Sequence, residues 1–436
     1  MIFHKPSHTR SQRYARNRTT PLLPAYYPCV LRGVGYRLEP GMQFIKGTIY
    51  KVGGLAQLGV GLLLAIPLLA LRPLVIVEVQ EIRAERLGHL AMEPELFLSL
   101  RSAGTGGHRK LTLFFFRGHP ANTYLAARWR QILPTAPRFL LAPIYNVTTW
   151  LPNLSFRPPD WDYEHVDLRP LDNSPPNLTF TPNEISRGQD LLTRLGLERD
   201  QPYVCLCVRD ASYLAETNPT RDWSYHDYRD SHIGDYVQMA EVLVSRGYAV
   251  IRMGKIVTEP FTVDNNRVVD YASSPLRNDF GDIYLFANCS FCISTSTGMD
   301  ALAFLFRRPV GMVNLAGFDG LRLGRTTRLA TFKSMTDSRS LRQLPLEDSQ
   351  RLNAMTARRT IDFARYAVTL NDNTEEELAE FAGQMDDMVR NRWTPRPDQL
   401  QRERSFLQAI PWHYDMTKST LHLAHSWFPD SKNYSS

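Results

Sequence analysis

Short apolar runs rich in β-branched residues recur along the chain, and most are followed by a polar loop and then by apolar residues at helical spacing. Such runs are typical of strands that are buried on both faces of a parallel sheet. The alternation of strand and helix predicts a doubly wound α/β fold, in which ligands bind beyond the carboxyl ends of the strands. The predicted strands lie at residues 74–77, 111–116, 203–208, 248–253, 291–294 and 310–313.

A chain of 436 residues is long enough for two or three domains. Proline and asparagine are frequent between residues 150 and 182, where few apolar residues recur, so we place a domain boundary there. We predict two Rossmann-like domains, at residues 73–180 and 181–395, and a polar tail at residues 396–436. Residues 80–88 are predicted to form the loop after the first strand. The predicted helices lie at about residues 90–100, 121–133, 181–196, 233–245, 299–306 and 374–390.

The positive charge of the chain is concentrated in residues 1–51, which hold nine Lys or Arg and one acid. This basic arm has a balance of +8, whereas the rest of the chain has a balance of −1, so the body gives no support for nucleic-acid binding. Residues 52–72 follow as an almost uninterrupted apolar helix of the length that can span a bilayer. We expect an anionic membrane surface as a partner, at the cytoplasmic face of the inner membrane.

The apolar segment at residues 52–72 has three alternative structures. A helix that lies in the membrane surface or re-enters it keeps the body in the cytoplasm, and the glycines and Pro67 make a straight span less secure. A single spanning helix would satisfy the positive-inside rule, but it would export the body to the side of the membrane where ATP and other nucleotides are not available. A buried helix of the body is the third structure. A cleaved signal peptide is disfavoured, because the apolar run begins only after about fifty residues.

Five cysteines are an odd and sparse set for this length, which argues against a disulfide framework and indicates a reducing compartment. Cys289 and Cys292 have the spacing of a redox or zinc pair, but no second pair or histidine cluster follows, so we expect them to pack in the core. Asp160 and Asp162 resemble a metal-binding carboxylate pair, but they lie in the proline-rich connection. We therefore assign no metal and no cofactor.

Four hydroxyl residues and a glycine begin at the last residue of the predicted strand at residues 291–294 and lead into a predicted helix. Backbone N–H groups at a helix start, the helix dipole and several hydroxyls together favour phosphate binding, and a glycine lets the ligand approach the backbone. The alternative is a simple helix N-cap, which needs only one hydroxyl. This segment, the hydroxyl loop, consists of Ser294, Thr295, Ser296, Thr297 and Gly298.

Three arginines lie at strand ends or in the loops that follow them. Arg209 ends one predicted strand, Arg229 lies in the next loop, and Arg252 ends the following strand, just before Gly254. Guanidinium groups donate forked hydrogen bonds that suit a diphosphate. Each arginine could instead form a surface pair with a neighbouring aspartate. If the arginines and the hydroxyl loop meet at one edge of the sheet, they would bind one anionic ligand.

These segments together resemble a family of bacterial glycosyltransferases encoded in surface-polysaccharide gene clusters, over roughly residues 60–390. The resemblance implies a GT-B fold of two Rossmann-like domains, with the donor nucleotide in the C-terminal domain and the acceptor mainly in the N-terminal one. Arg209 and the hydroxyl loop are also similar, more distantly, to the phosphate contacts of fucosyltransferases. The motifs add Arg86 and Asp282 to the substrate-binding candidates. They are Arg86-Leu87-Gly88-His89-Leu90, Glu93-Pro94-Glu95-Leu96, Tyr228-Arg229-Asp230, Phe280-Gly281-Asp282-Ile283-Tyr284-Leu285 and residues 203–210, 247–254 and 292–298.

A catalytic base is predicted near the start of the first helix of the N-terminal domain. His89 follows the first strand and loop, where the resemblance to GT-B enzymes implies a histidine that deprotonates the acceptor hydroxyl, and an imidazole suits that role. Glu93, Glu95 and Asp210 are rival candidates. His89 could also be a helix-start residue with no chemical role.

The sequence thus predicts metal-independent transfer of a sugar from a nucleotide-sugar donor to a surface-glycan or lipid-linked acceptor. Arginines and the hydroxyl loop would stabilise the departing diphosphate with preorganised donors. The alternative is a non-catalytic component of a polysaccharide assembly complex, which binds a sugar nucleotide or a glycan.

Overall fold

A computed structural model describes residues 57–427, except for residues 103–108, 152–167, 218, 221, 323, 346–347, 397 and 409–419. The basic arm, the start of the apolar segment and part of the predicted interdomain connection lie outside the described residues. Everything described belongs to one compact unit, and the predicted boundary near residue 180 stays a prediction.

The first sheet has two parallel strands among the described residues, β1 (Ile76–Arg83) and β2 (Lys110–Arg117), in register from end to end. The prediction for β1 was wrong at its end, because the strand continues through residues 80–83, which were assigned to a loop. Polar side chains are accommodated there by pairing across the sheet, where Arg117 Nη1 lies 3.0 Å from Glu81 Oε1.

Two helices cover one face of this first sheet. Helix α1 is described from residue 57 to 71, and α4 spans Arg138–Trp150. Both belong to a small apolar cluster with Val79 of β1 and Phe115 of β2. The predicted apolar segment is therefore, over its described part, a helix packed on the body. No helix of the described residues combines the length and the apolar character needed to cross a bilayer.

The other face of the first sheet is covered by α2 (Leu87–Leu100) and α3 (Thr123–Ile132). Leu90 and Trp129 of these helices are buried in the largest apolar cluster of the molecule, which also includes Phe114 of β2. The indole of Trp129 donates a 2.8 Å hydrogen bond to the carbonyl of Leu90. Helix α2 begins directly after the turn that follows β1, which brings its first residues to the carboxyl edge of the strand.

Among the described residues the second sheet has seven parallel strands, in the spatial order β5-β4-β3-β6-β7-β8-β11. Its first six strands follow the order 3-2-1-4-5-6 of a Rossmann fold, so the doubly wound prediction is confirmed for this half. The direction in which the chain adds strands to the sheet reverses between β3 and β6. Folds of this kind bind ligands at this switch point. The strands are β3 (Tyr203–Cys207), β4 (Ala249–Arg252), β5 (Val268–Asp270), β6 (Phe291–Ser294), β7 (Val310–Leu315), β8 (Thr327–Phe332) and β11 (His422–Leu423).

The remaining elements are mostly helices, together with two strands that pair antiparallel in a separate sheet. Thr181 and Thr374 each form a capping box with the glutamate three residues later, at the starts of α5 and α12. The elements are α5 (Pro182–Arg194), α6 (Ser212–Thr217), α7 (Val237–Ser245), α8 (Asp279–Asn288), α9 (Ala301–Leu305), β9 (Ser334–Asp337), α10 (Ser349–Ala354), α11 (Thr360–Arg365), β10 (Val368–Asn371), α12 (Glu375–Val389) and α13 (Gln399–Gln408).

Part of the predicted polar tail packs back onto the second sheet. Strand β11 pairs with β8, and Gln399 of α13 donates a 2.7 Å hydrogen bond to the carbonyl of Leu423. Phe406 and Trp427 are buried against Phe332 of β8, with ring centroids 5.0 to 5.8 Å apart. Phe406 and Trp427 of this tail are therefore core residues of the second sheet.

One arginine joins the two halves of the molecule directly behind β6. Arg307, in the turn between α9 and β7, lies 2.7 Å from Glu95 Oε1 of α2 and also donates to the carbonyls of Leu171 and Ser174 at 3.1 Å. At a second point Thr123 N donates to a carboxylate oxygen of α8, Asp279 Oδ2, at 2.7 Å. These contacts fix how α2 faces the second sheet.

Candidate functional site

The loops that follow β3 and β6 are hydrogen-bonded to each other at the switch point of the sheet. Thr295 N donates to the carbonyl of Cys207 at 3.1 Å, and Arg209 N donates to Thr295 Oγ1 at 2.9 Å. Two predicted site segments, Arg209 and the hydroxyl loop, are thus brought together as the sequence suggested. The reason is topological, because the carboxyl ends of neighbouring parallel strands lie at one edge of the sheet.

Three of the four hydroxyls in this loop are used within the protein. Ser294 Oγ donates to the buried carboxylate of Asp300 at 2.8 Å, and Thr297 N donates to the same carboxylate at 3.0 Å. Thr297 Oγ1 accepts from Met299 N at 3.1 Å, which with the Asp300 contact resembles a capping box. Thr295 Oγ1 accepts a hydrogen bond from Arg209 N. Burial raises the pKa of Asp300.

Ser296 is the hydroxyl residue that the protein leaves available. Its Oγ is buried and has no hydrogen-bond partner among the described residues, and its backbone has a left-handed φ of 62°. A non-glycine residue in this region stores strain, and such strain is frequent at ligand sites. The N–H groups of Ser296 and Gly298 also make no hydrogen bond within the described part of the chain. The loop therefore retains three donors for a ligand.

The helix after this loop corrects one part of the prediction. Helix α9 spans only Ala301–Leu305, shorter than the predicted 299–306, so a helix dipole adds little at the loop. A β-carbon built on Gly298 would lie 3.7 Å from the backbone nitrogen of Gly88, at the start of α2. A side chain at Gly298 would therefore extend into the gap between the hydroxyl loop and α2, which glycine leaves open.

Arg209 and Arg229 supply positive charge beside the hydroxyl loop. Arg229 Nη2 donates to the carbonyl of Ser296, and Arg209 Nε lies 3.1 Å from Asp230 Oδ1. Burial, together with the charge of Arg209, lowers the pKa of Arg229 to about 10. Burial raises the pKa of Asp230. An anionic ligand placed here would stabilise both guanidinium groups.

A small pocket opens beside these residues, with Arg229 and Ser296 in its wall. Most of its other lining comes from the end of β7, the loop after it and the turn before α11, and no sequence motif pointed to these residues. Tyr228 belongs to the motif Tyr228-Arg229-Asp230 that carried the resemblance. The remaining lining residues are Thr295, Asn314, Leu315, Ala316, Gly317, Asp319, Gly320 and Ala357.

Arg252 and Asp210, both predicted at this site, are engaged elsewhere. Arg252 is 1% exposed, and its Nη1 donates to Asp270 Oδ1 at 3.2 Å and to the carbonyl of Glu259 at 3.0 Å. Asp210 accepts from two backbone N–H groups, those of Ser212 at 2.9 Å and Thr258 at 3.0 Å. These are contacts that hold the loops after β3 and β4 together, and the structure does not bring either side chain to the hydroxyl loop.

The contacts of Gly254 and Asp282 also serve the fold. A β-carbon at Gly254 would lie 2.6 Å from Val257 Cγ1, which explains the glycine by packing. Asp282 is buried in α8 against Arg277, which donates to its Oδ2. Burial raises the pKa of Asp282 to about 6. None of these contacts involves the hydroxyl loop.

His89, Glu93 and Arg83 form one cluster where α2 begins. His89 Nδ1 lies 3.1 Å from Glu93 Oε1, one helical turn away, and Arg83 Nε donates to the same oxygen at 2.6 Å. Burial acts to raise the pKa of Glu93, but the adjacent His89 ring and the Arg83 guanidinium outweigh it and hold the pKa below its ordinary value. An ionised carboxylate on Nδ1 orients the imidazole and favours the tautomer in which Nε2 can accept a proton.

The start of α2 thus brings Gly88, the residue before His89, close to Gly298 of the hydroxyl loop. Arg86, the residue before α2, is exposed and has no side-chain capping bond. Glu95, a rival base, is fully buried and bound by Arg307 and Asn177, and burial raises its pKa. Its contacts are those of a residue that joins the two halves.

The cysteines and acidic residues show no metal site within the described ranges. Four cysteines are described, at positions 205, 207, 289 and 292, and all are free and buried. No group of three or more His, Cys, Asp or Glu side chains in the described part of the chain is arranged to hold a metal ion.

No family model and no curated protein matches the sequence. The chain is similar to the solved structure of the E. coli ADP-heptose LPS heptosyltransferase II, with 13% identity and a TM-score of 0.36 over 59% of this chain and 90% of that one. It is also similar to a family 9 glycosyl transferase of Veillonella parvula, with 12% identity and a TM-score of 0.26 over 53% of this chain and 63% of that one. A third similar structure is TibC, a dodecameric iron-containing glycosyltransferase of enterotoxigenic E. coli, with 14% identity and a TM-score of 0.30 over 59% and 62% of the two chains. Similarity at this level does not define what the chain binds or transfers.

Proposed function

We propose that the chain is a glycosyltransferase that moves a sugar from a nucleotide-sugar donor to a hydroxyl of a surface-glycan or lipid-linked acceptor, without a metal ion. The observation that carries this proposal is the pairing of a cation-rich crevice with an unused buried hydroxyl. Arg229 has a depressed pKa beside Arg209, and Ser296 Oγ has no partner among the described residues. Both features are relieved by a diphosphate.

The two halves of the molecule have different roles in this proposal. The diphosphate of the donor lies at the switch point of the second sheet, on the hydroxyl loop and Arg209. The sugar lies at the outer edge of the hydroxyl loop beside the start of α2, where the acceptor hydroxyl also arrives, because the space between Gly298 and Gly88 holds no more than about a methyl group. A cleft between two α/β halves suits a reaction with two substrates, because each half binds one of them.

His89 acts as the general base in this scheme. Its Nε2 takes the proton of the acceptor hydroxyl while the acceptor oxygen forms a bond to the anomeric carbon and the bond to the diphosphate oxygen breaks. Glu93 holds the ring through Nδ1 and stabilises the imidazolium that forms. Arg209, Arg229 and Ser296 Oγ donate hydrogen bonds to the leaving diphosphate, whose negative charge increases as it departs.

The nucleotide site is tested by replacing Arg209 with alanine. We expect nucleoside diphosphate binding, measured by calorimetry, to weaken by about 1.5 to 3 kcal/mol, because a charge-assisted hydrogen bond is lost. The matched control is Arg267→Ala, at an exposed position after β4, which should leave affinity unchanged. Unchanged affinity in a folded Arg209→Ala variant would locate the nucleotide elsewhere, and a strict loss of transfer with EDTA would exclude the metal-independent mechanism.

The base is tested by turnover of sugar-nucleotide donors. His89→Ala should lower kcat by about 10² to 10⁴-fold with nucleotide affinity unchanged, and Glu93→Gln should lower kcat less, because it only positions the ring. Asp210→Asn is the rival variant and should retain turnover if the protein folds. Loss of turnover in Asp210→Asn alone would assign the base to that residue. Nucleotide binding without any transfer or donor hydrolysis in the unmodified protein would favour a binding component of an assembly complex.

A further inference from the structure

Helix α1 is apolar on both of its faces, and the body covers only one. Ala65 is 1% exposed, and a β-carbon on Gly61 would lie 2.4 Å from the carbonyl oxygen of Pro143 in α4. This close contact holds α1 against the first sheet as part of the folded body.

The opposite face of α1 consists of large apolar side chains in contact with solvent. Leu63 and Ile66 are 69% and 60% exposed, and Val60 and Leu71 are 48% and 43% exposed. At 100° per residue these four positions lie within about 140° of the helix circumference, on the side away from Gly61 and Ala65. Leu74, in the turn after α1, is 74% exposed and lengthens this surface. We call these five residues the α1 face.

Positive charge surrounds the end of the α1 face. Arg72 is exposed in the same turn as Leu74, and Arg109 is exposed at the neighbouring strand, where Ile76 N donates to its carbonyl at 2.6 Å. Neither arginine forms an ion pair with another described residue. In the sequence, the basic arm with its balance of +8 precedes α1 directly. An apolar strip bordered by unpaired cations favours an anionic partner and disfavours a second copy of the same surface.

We propose that the α1 face lies on the surface of an anionic lipid bilayer, with α1 parallel to the membrane plane and the body in water. The apolar side chains enter the boundary between headgroups and acyl chains, while Arg72, Arg109 and the basic arm are attracted to anionic headgroups. Because the buried face of α1 stays packed on α4, docking requires no unfolding of the first half. The proposal is independent of the nucleotide site.

The test is flotation of the full-length protein with vesicles. We expect binding to phosphatidylcholine vesicles that contain a third of phosphatidylglycerol, weaker binding to pure phosphatidylcholine, and release from the mixed vesicles in high salt. The variant Leu63→Glu/Ile66→Glu should bind the mixed vesicles at least about tenfold more weakly, because two charges would enter the apolar boundary. The matched control is Leu341→Glu/Ile361→Glu, which makes the same changes at residues 79% and 58% exposed on the other half.

Each outcome decides for or against membrane docking. Equal binding by the Leu63→Glu/Ile66→Glu variant and the control overturns the proposal, as does retention of the unmodified protein on vesicles after a high-salt wash. Sedimentation velocity without vesicles tests whether a second copy of the chain occupies the α1 face instead. A stable dimer that the Leu63→Glu/Ile66→Glu variant converts to a monomer would assign the face to a second copy and also overturn the proposal.

Discussion

Ser294 and Ser296 carry the same hydroxyl two residues apart, but their surroundings are opposite. The first donates to the buried carboxylate of Asp300, and the second has no partner among the described residues. An unused buried hydroxyl adds nothing to folding, whereas one that satisfies a buried carboxylate contributes directly. Replacing Ser294 should therefore affect mainly the stability of the fold, and replacing Ser296 should affect mainly ligand binding.

We expect Ser294→Ala to lower the free energy of unfolding by about 1 to 3 kcal/mol, because the Asp300 carboxylate loses a donor. Ser296→Ala should change the free energy of unfolding by less than about 0.5 kcal/mol and weaken nucleoside diphosphate binding by about 1 kcal/mol. Urea unfolding and calorimetry measure the two quantities. Equal losses of stability in both variants would contradict the assignment of Ser296 to the ligand.

For single residues, the sequence predicted which residue types lie at the edge of the sheet better than it predicted which side chains they contact. The hydroxyl loop and Arg209 meet because β3 and β6 are neighbours in the sheet, and the carboxyl ends of neighbouring parallel strands lie at one edge. The role of Arg252 could not be read in the same way. Its partner Asp270 ends the next strand, 18 residues later, and the buried pair exists only because β4 and β5 are neighbours.

Two glycines of α1 show how closely the helix is held to the body. A β-carbon on Gly59 would meet nothing within 4 Å, whereas one on Gly61 would collide with the Pro143 carbonyl and with Val147. The same substitution at these positions should therefore have opposite effects.

We expect Gly59→Ala to raise the free energy of unfolding by up to about 1 kcal/mol, because alanine favours helix. Gly61→Ala should lower it by about 1 to 3 kcal/mol, because the backbone of α4 cannot move aside without disturbing its packing. Thermal and urea unfolding of the pair measure the difference. A stabilising Gly61→Ala would mean that α1 is not held against α4.

Elements with strong local signals were predicted, and those that depend on distant partners were not. The capped starts at Thr181 and Thr374 need only a four-residue pattern. Strand β1 extends into residues 80–83 because Arg117 on β2 compensates Glu81, which no window of β1 alone can reveal. Helix α4 was missed, since Pro143 disguises a helical segment.

At the scale of the molecule, Arg307 connects the two halves. It contacts Glu95 on α2 and backbone carbonyls at Leu171 and Ser174, and Glu95 has no exposed surface. Removing one member of a buried pair leaves the other charge uncompensated.

We expect Arg307→Ala to lower the free energy of unfolding by about 3 to 5 kcal/mol. In the Arg307→Ala/Glu95→Gln double variant part of this loss should return, since no carboxylate is then left uncompensated. A double-mutant cycle in urea measures the coupling between the two side chains. Additive losses would contradict a direct contribution of the pair.

The doubly wound architecture was predictable because fully buried parallel strands leave an unmistakable apolar signal. The two-residue strand β11 was not, since its pairing with β8 depends on Gln399 and Glu403 rather than on its own sequence. The relative placement of the two halves likewise depends on single contacts between distant residues.

The pairing of β11 with β8 has a consequence for synthesis. A ribosome produces residue 422 about 90 residues after it completes β8 at Phe332. During that interval the edge of β8 and the ring of Phe332 lack the strand and the Trp427 indole that later cover them. The nascent chain therefore carries an open sheet edge until β11 is made, and an unpaired edge of this kind is prone to aggregation.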